Sequence, residues 1–178
     1  MSEKKSALLV IDPQVGPLYG TYQKEETLSV MLKLIGRAEK EKIPVFFIQH
    51  EEQPGGFLQR GTRFWQFVEG IQPKPGDTII PKSGTDAFYE TTLQQELKAR
   101  EINHLVVVGV RTEYCVDTTC RSAVTLGFDV TLVSDGHTTA DGAIPAELII
   151  KHHNHNLYTV KTIHHHITVT PSEDVQFS

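Results

Sequence analysis

The sequence has 178 residues, with 17 Lys or Arg against 22 Asp or Glu, and its net charge is -5 when the histidines are neutral. A chain of this length can bury about 70% of its unfolded surface, so its core needs no metal or disulfide. The mildly acidic balance, without a cluster of basic residues, argues against DNA, RNA or an anionic membrane as partner. We expect a single domain over residues 1–178 with no nucleic-acid or membrane partner.

The beginning of the chain predicts a cytoplasmic protein. Residues 1–5 are charged and precede a short apolar run at residues 7–11. That run is too short for the apolar region of a signal peptide or for a membrane span. The two cysteines, Cys115 and Cys120, are therefore expected to be free thiols in a reducing compartment.

Short apolar, β-branched runs alternate with helix-like stretches along the chain. The runs lie at residues 7–11, 45–48, 78–80, 105–108, 130–133 and 157–160. They are almost continuously apolar, which is typical of strands in a parallel sheet covered on both faces. We predict an α/β fold of three layers, α/β/α, with a six-stranded, mostly parallel sheet of Rossmann-like topology.

Helical spacing of apolar residues predicts helices between these strands. The second helix is expected to begin at Thr92, which stands at capping-box spacing from Gln95, and the third to end at Gly127. A fourth helix is expected to begin near Pro145. The first helix is expected to bury the following residues: Leu28, Met31, Leu32, Ile35 and Ala38.

Residues 51–76 interrupt this alternation with glycines, prolines and aromatic residues. A loop of this length that carries aromatic side chains is more often functional than idle. We interpret it as a lid or pocket wall. The alternative is a partly helical excursion that covers a sheet edge.

The first strand is not followed by a phosphate-binding motif. The residues after it, Asp12-Pro13-Gln14-Val15-Gly16, lack the glycine pattern of dinucleotide-binding loops, and no P-loop occurs elsewhere. A flavodoxin-like nucleotide binder is therefore disfavoured. The Gly-x-Ser-x-Gly motif of α/β-hydrolases is also absent from the sequence. We expect neither a cofactor nor a serine nucleophile.

Three reactive residues fall at the carboxyl ends of predicted strands, where parallel sheets bind ligands. Asp12 closes the first strand, Lys82 follows the third, and Cys115 opens the third helix. A cysteine at a helix N-terminus beside a lysine is expected to form a thiolate. Asp12 can take up the thiol proton and later deliver it to a leaving group. Acyl transfer is the chemistry that this set predicts.

Each of these residues also fits an ordinary structural role: a turn cap, a solvated lysine or a core cysteine. Cys120 lies about 140° around the helix from Cys115 and is the cysteine expected in the core. If the third strand is at the sheet edge, two spacings of about 4.8 Å separate it from the first strand. The reaction scheme therefore requires that Lys82 turn inward.

One set of motifs runs in order across most of the chain: Asp12, Pro81-Lys82, Gly109-Val110-Arg111-Thr112-Glu113-Tyr114-Cys115-Val116 and Gly127-Phe128-Asp129-Val130. This set resembles the isochorismatase-like cysteine hydrolases from residue 7 to about residue 158. The resemblance implies that Asp12, Lys82 and Cys115 form the catalytic triad. It also implies that the peptide between Val110 and Arg111 is cis, with the backbone N–H groups of Arg111 and Cys115 as an oxyanion hole.

The reaction implied by the resemblance is hydrolysis of a C–N bond in a small amide, lactam or ureido compound through a thioester on Cys115. Nicotinamidases of this family carry a metal-binding Asp-x-His motif where this chain has Gln49-His50-Glu51-Glu52, so no metal is expected. Isochorismatases of the family generally lack the cysteine, which makes ether hydrolysis a poorer alternative. The stretch from Asp135 to Asp141 resembles the streptothricin hydrolases, which open a lactam.

A catalytically silent ligand-binding or assembly protein of the same fold is the alternative from another class. Homo-oligomers are usual in the resembled family, and residues 167–175 are the candidate contact. Adjacent histidines in a strand point to opposite faces, and a pair formed by His152 and His155 lacks an evident carboxylate partner, so structural or interface roles are favoured over a metal site. Position predicts these pocket residues: Gln14, Gln49, Trp65, Thr112, Tyr114 and His137.

Overall fold

A computed structural model describes residues 3–178 and contains a sheet of six strands with helices on both faces. The strands are β1 (Ser6–Ile11), β2 (Val45–His50), β3 (Thr78–Lys82), β4 (His104–Val110), β5 (Asp129–Thr138) and β6 (Ile167–Thr170). The helices are α1 (Lys24–Glu41), α2 (Leu93–Ala99), α3 (Asp117–Thr125) and α4 (Ala146–Tyr158). A π-helical turn (Thr112–Val116) precedes α3, and a 3₁₀ turn (Ser172–Asp174) follows β6. The predicted fold class is confirmed.

The strand order is β3-β2-β1-β4-β5-β6, and every neighbouring pair is parallel. The chain builds outward from β1 to β3 and then returns to place β4 on the other side of β1. This reversal puts the topological switch point between β1 and β4. The segments that follow these two strands begin with Asp12 and Arg111, so the switch point lies between two of the predicted site residues.

Two apolar layers explain why the strands are continuously hydrophobic. Leu9 of β1 faces the layer that contains α2, α3 and α4, whereas its neighbour Leu8 faces the layer that contains α1. Both faces of a central strand are thus buried, as expected for a parallel sheet. Cys120 of α3 is fully buried in the first layer. Its expected structural role is confirmed, and both cysteines are free thiols.

The predicted sixth strand at residues 157–160 is wrong. Leu157 lies in the last turn of α4 and is fully buried, and the sixth strand is Ile167–Thr170. Leu157 stands eight residues after Ile149, two helical turns further along the same face. A short apolar run cannot be assigned to a strand or a helix by its own pattern.

Two local expectations about the helices also differ from the structure. In α1 the buried face includes Leu34, whereas Leu32 is 41% exposed. Thr92 occupies the N-cap position of α2 without making a side-chain cap. The hydroxyl of the preceding Thr91 accepts a hydrogen bond from the Leu93 N–H at 3.3 Å instead.

Residues 51–77 form a long loop without a helix, so the partly helical alternative is wrong. The loop buries Leu58 and packs Phe67 on Phe47 of β2, with ring centroids 5.9 Å apart. Phe57 and Phe64 stack on each other at 4.2 Å. The loop therefore has its own apolar contacts with the sheet, and it contributes residues to a cavity described below.

No helix within residues 3–178 combines the length and the apolar character that a membrane crossing requires.

A buried histidine makes stability depend on pH. His104 at the start of β4 bonds to the Ser6 and Thr131 hydroxyls, at 2.8 Å each, and burial lowers the pKa of His104 to about 4. The unfolded chain binds a proton near pH 6.5, whereas the folded chain does so only near pH 4. The free energy of unfolding should therefore fall by up to about 3 kcal/mol on this account between pH 6.5 and 4.

Urea denaturation at several pH values measures this effect in the His104→Gln protein. The pH dependence between 6.5 and 4 should become weaker, whereas His155→Gln, at an exposed position of α4, should leave it unchanged. An unaltered pH dependence in His104→Gln would contradict the assignment.

Candidate active site

Asp12 lies directly after β1 and is almost completely buried. Its backbone has a left-handed φ of 49°, a conformation that Asp tolerates better than most residues. The Asp12 N–H donates to the Ile48 carbonyl of β2 at 3.0 Å. This bond fixes the carboxyl group at the edge where β1 and β2 end.

Lys82 turns inward from the edge strand, as the proposed chemistry requires. Its ammonium lies 2.9 Å from Asp12 Oδ2, and both side chains are shielded from solvent. The same nitrogen donates to the Gly84 carbonyl at 2.8 Å and contacts Cys115 Sγ at 3.3 Å. The structure thus brings together the three residues of the predicted triad.

Cys115 lies in the π-helical turn rather than at the first position of α3, which begins at Asp117. The turn is closed by a hydrogen bond from the Val116 N–H to the Arg111 carbonyl at 3.2 Å. Burial, followed by the negative charge of Asp12, raises the pKa of the Cys115 thiol to about 12, although Lys82 acts in the opposite direction. Burial and Asp12 thus oppose the resting thiolate that the sequence analysis expects, and they favour the protonated thiol.

His50 is a site residue that the sequence analysis did not assign. It is the last residue of β2 and pairs in register with Lys82 of β3. Its Nδ1 lies 3.0 Å from the Lys82 ammonium. The sequence could have indicated His50 by its position at the carboxyl end of β2, because the carboxyl ends of β1 and β2 lie at the same side of the sheet.

Asp12, His50 and Cys115 each offer a ligand atom, and these atoms lie within 4.8 Å of one another. Such a cluster has the donor types of a metal site. The Lys82 ammonium, however, is within 2.9 to 3.3 Å of all three groups. A metal ion would have to displace this ammonium, so the donor set fits the lysine charge better than a metal.

A cavity of about 240 Å³ opens beside the thiol. Larger clefts exist elsewhere, including one of about 570 Å³ beside Pro44 and Lys74, so chemistry rather than volume identifies the site. The loop of residues 51–77 provides part of the wall. The lining residues are Asp12, Pro17, His50, Glu52, Leu58, Val110, Arg111, Tyr114 and Cys115.

Arg111 connects the cavity wall to the segment after β1. Its guanidinium donates to the carbonyls of Pro17 and Tyr19, at 3.1 and 3.2 Å. The peptide bond between Val110 and Arg111 is cis. These contacts position the backbone of Arg111 at the rim.

Among the predicted pocket residues, Tyr114 lines the cavity. The others lie outside its lining and hold the surrounding segments in place through hydrogen bonds. The Gln14 amide donates to the carbonyls of His50 and Trp65, at 2.9 and 2.7 Å, and Gln49 donates to the same Trp65 carbonyl at 3.1 Å. These bonds fasten the long loop to the sheet.

Thr112 and His137 form a second buried support behind the π-helical turn. The Thr112 hydroxyl is 2.9 Å from His137 Nδ1, and His137 Nε2 is 2.9 Å from the side-chain oxygen of Asn154 on α4. Burial lowers the pKa of His137 to about 4. A neutral histidine thus connects the turn that carries Cys115 to α4.

Within residues 3–178, the C-terminal histidines do not belong to a group of three metal-ligating side chains. His165 and His166 place their Nδ1 atoms 3.4 and 3.5 Å from Asp129 Oδ1. Among the described residues 3–178, the three side chains that could together ligate a metal are Asp12, His50 and Cys115.

A protein-family model of the isochorismatase domain matches residues 6–164. Streptothricin hydrolase of Streptomyces noursei is 34% identical over 143 residues, 79% of this chain and 51% of that protein. Ureidoacrylate amidohydrolase RutB of Variovorax paradoxus is 35% identical over 92 residues, 52% of this chain and 36% of that protein. The chain spans about half or less of the length of both relatives.

The fold has close structural counterparts. The crystal structure of an isochorismatase from Pseudomonas putida superposes with a TM-score of 0.89 at 26% identity, and the match covers 99% of this chain and 93% of that one.

The electrostatics of the thiol lead to a prediction about its reactivity. Asp12→Asn removes a negative charge that raises the pKa of Cys115, so the thiol should react with iodoacetamide severalfold faster than in the wild type at pH 8 to 9. Mass spectrometry measures the rate, and Cys115→Ala reports the background from buried Cys120. Slower alkylation of Asp12→Asn would contradict this electrostatic assignment.

Proposed function

Since the chain belongs to the isochorismatase family, we propose that it is a cysteine-dependent hydrolase that cleaves a C–N bond of a small amide, lactam or ureido compound. The observation that carries the proposal is the Lys82 ammonium, which contacts both the Asp12 carboxylate and the Cys115 sulfur. A carboxylate, an ammonium and a thiol beside one cavity supply the base, the charge stabilisation and the nucleophile of acyl transfer.

Asp12 is the general base of the first step. Its Oδ2 is paired with Lys82, whereas its buried Oδ1 has no hydrogen-bond partner among the described residues. Because the pKa of Cys115 is raised, the thiol must lose its proton as sulfur attacks the substrate carbonyl. Oδ1 is the open acceptor for that proton, and Lys82 stabilises the negative charge that develops on sulfur.

The carbonyl oxygen becomes an oxyanion as the C–S bond forms. The N–H groups of Arg111 and Cys115 are its proposed donors, since both residues line the cavity and amide groups at the start of a helical turn lack intrahelical partners. Removing one such donor typically costs about 3 kcal/mol of barrier.

Collapse of the tetrahedral intermediate breaks the C–N bond. Asp12 returns its proton to the leaving nitrogen, which departs as an amine or ammonia and leaves a thioester on Cys115. Asp12 then takes a proton from water as the water attacks the thioester. The acid is released, and the proton returns to the sulfur.

The small cavity and the relatives support the substrate class. A volume of about 240 Å³ is below the range of pockets for drug-sized ligands. Streptothricin hydrolase and ureidoacrylate amidohydrolase are among the relatives, and the retained cysteine favours an amide-type substrate over an ether.

A panel of primary amides, lactams and N-carbamoyl amino acids tests the proposal by release of ammonia or amine. At least one compound should be hydrolysed, and Cys115→Ala should lower kcat/KM by at least about 10³-fold because the covalent step is lost. Hydroxylamine should trap the acyl group in the wild type only. Cys120→Ala is the matched control and should retain turnover.

Full turnover in Cys115→Ala would exclude the thioester mechanism. A failure of every compound in the panel would favour a silent binding protein of this fold.

A further inference from the structure

His50 holds a position in the site that the triad does not use. It lines the cavity together with Cys115, and its Nδ1 lies 3.0 Å from the Lys82 ammonium. Its backbone is clamped by Gln14, which accepts from the His50 N–H at 2.8 Å and donates to the His50 carbonyl at 2.9 Å. The backbone that carries the His50 ring is therefore held in place at the end of β2.

The contact with Lys82 determines where the ring carries its proton. An ammonium can only donate, so Nδ1 must present its lone pair, and in a neutral imidazole the proton then resides on Nε2. This assignment follows from hydrogen-bonding capacity. The Nε2–H is thus a donor, and no side chain or carbonyl within residues 3–178 accepts from it.

Burial and the positive charge of Lys82 favour the neutral ring. Burial, followed by the positive charge of Lys82, lowers the pKa of His50 below 6.5, against the opposing carboxylates of Asp12, Glu52 and Glu51. The donor is therefore an uncharged N–H, suited to a neutral acceptor atom. Glu52 lines the same cavity and disfavours a carboxylate at that place.

We propose that His50 is a substrate-binding residue whose Nε2–H, fixed by Lys82, donates a hydrogen bond to an uncharged acceptor beside the scissile carbonyl. The enzyme would then favour substrates with a second carbonyl oxygen near the bond that is cleaved, as in ureido compounds and acylated lactams, over simple amides. The part of this inference that concerns the substrate rests on the proposed function. The part that concerns the tautomer of the ring does not.

The tautomer is tested without any substrate. Nitrogen-15 NMR of the ring at pH 7.5 should show a single neutral Nε2–H tautomer for His50, identified by the signals that vanish in His50→Asn. Lys82→Met should release the constraint and mix the two tautomers. An Nδ1–H ring, an imidazolium ring or a mixture of tautomers in the wild type would overturn the proposal.

Two substitutions of His50 distinguish its contact with the substrate from its contact with Lys82. His50→Asn places an oxygen near the position of Nδ1 and keeps an acceptor for Lys82, but it lacks the distal donor. His50→Gln places an amide N–H near Nε2 and loses the proximal acceptor. With the N-carbamoyl amino acid or lactam that the wild type hydrolyses best, His50→Asn should raise KM about tenfold with a smaller change in kcat.

His50→Gln should keep KM within a few-fold of the wild type and lose mainly kcat, because Lys82 is less well held. Equal effects of the two substitutions on KM would overturn the contact with substrate. His155→Gln is the matched control and should change neither constant. If no compound is hydrolysed, the proposed function and the substrate contact of His50 both fail, while the NMR result still decides the tautomer of the His50 ring.

Discussion

The buried ion pair between Lys82 and Asp12 is the interaction on which the candidate site depends. Removing a carboxylate and an ammonium from water costs several kcal/mol per ion, and such a pair is tolerated only when the geometry is good and the remaining donors are satisfied. Here the two charges are 2.9 Å apart, and the ammonium also meets Gly84, His50 and Cys115. Apart from the contact with Gly84, each contact of the lysine thus lies with a group of the site.

The parallel sheet makes this convergence possible. All six strands point the same way, so Asp12, His50, Lys82 and the segment after β4 meet at one edge. The lysine comes from the edge strand β3. Its partner in register is His50 of β2, the strand that lies between β3 and β1. His50 also contacts the Lys82 ammonium through Nδ1. This contact helps to hold the lysine of an edge strand against Asp12 at the centre of the sheet.

The surroundings of Cys115, the proposed nucleophile, favour the protonated thiol. Burial and the adjacent carboxylate of Asp12 both raise the pKa of Cys115. In the proposed mechanism, the same aspartate takes up the thiol proton during attack. Neutral buried groups brace this arrangement. Gln14 and Gln49 fasten the loop over the sheet, and His137 ties the π-helical turn to α4.

The sequence by itself determined the layered fold, the strand positions through β5 and the identity of Asp12, Lys82 and Cys115, because apolar periodicity and strand ends are local features. It misassigned the sixth strand, since Leu157 and its neighbours fit either a strand or the last turn of a helix. Tertiary structure alone decided the position of His50 beside Lys82, the raised pKa of Cys115 and which predicted pocket residues became supports. Those properties depend on burial and on distances between segments far apart in the chain, which no local pattern of residues encodes.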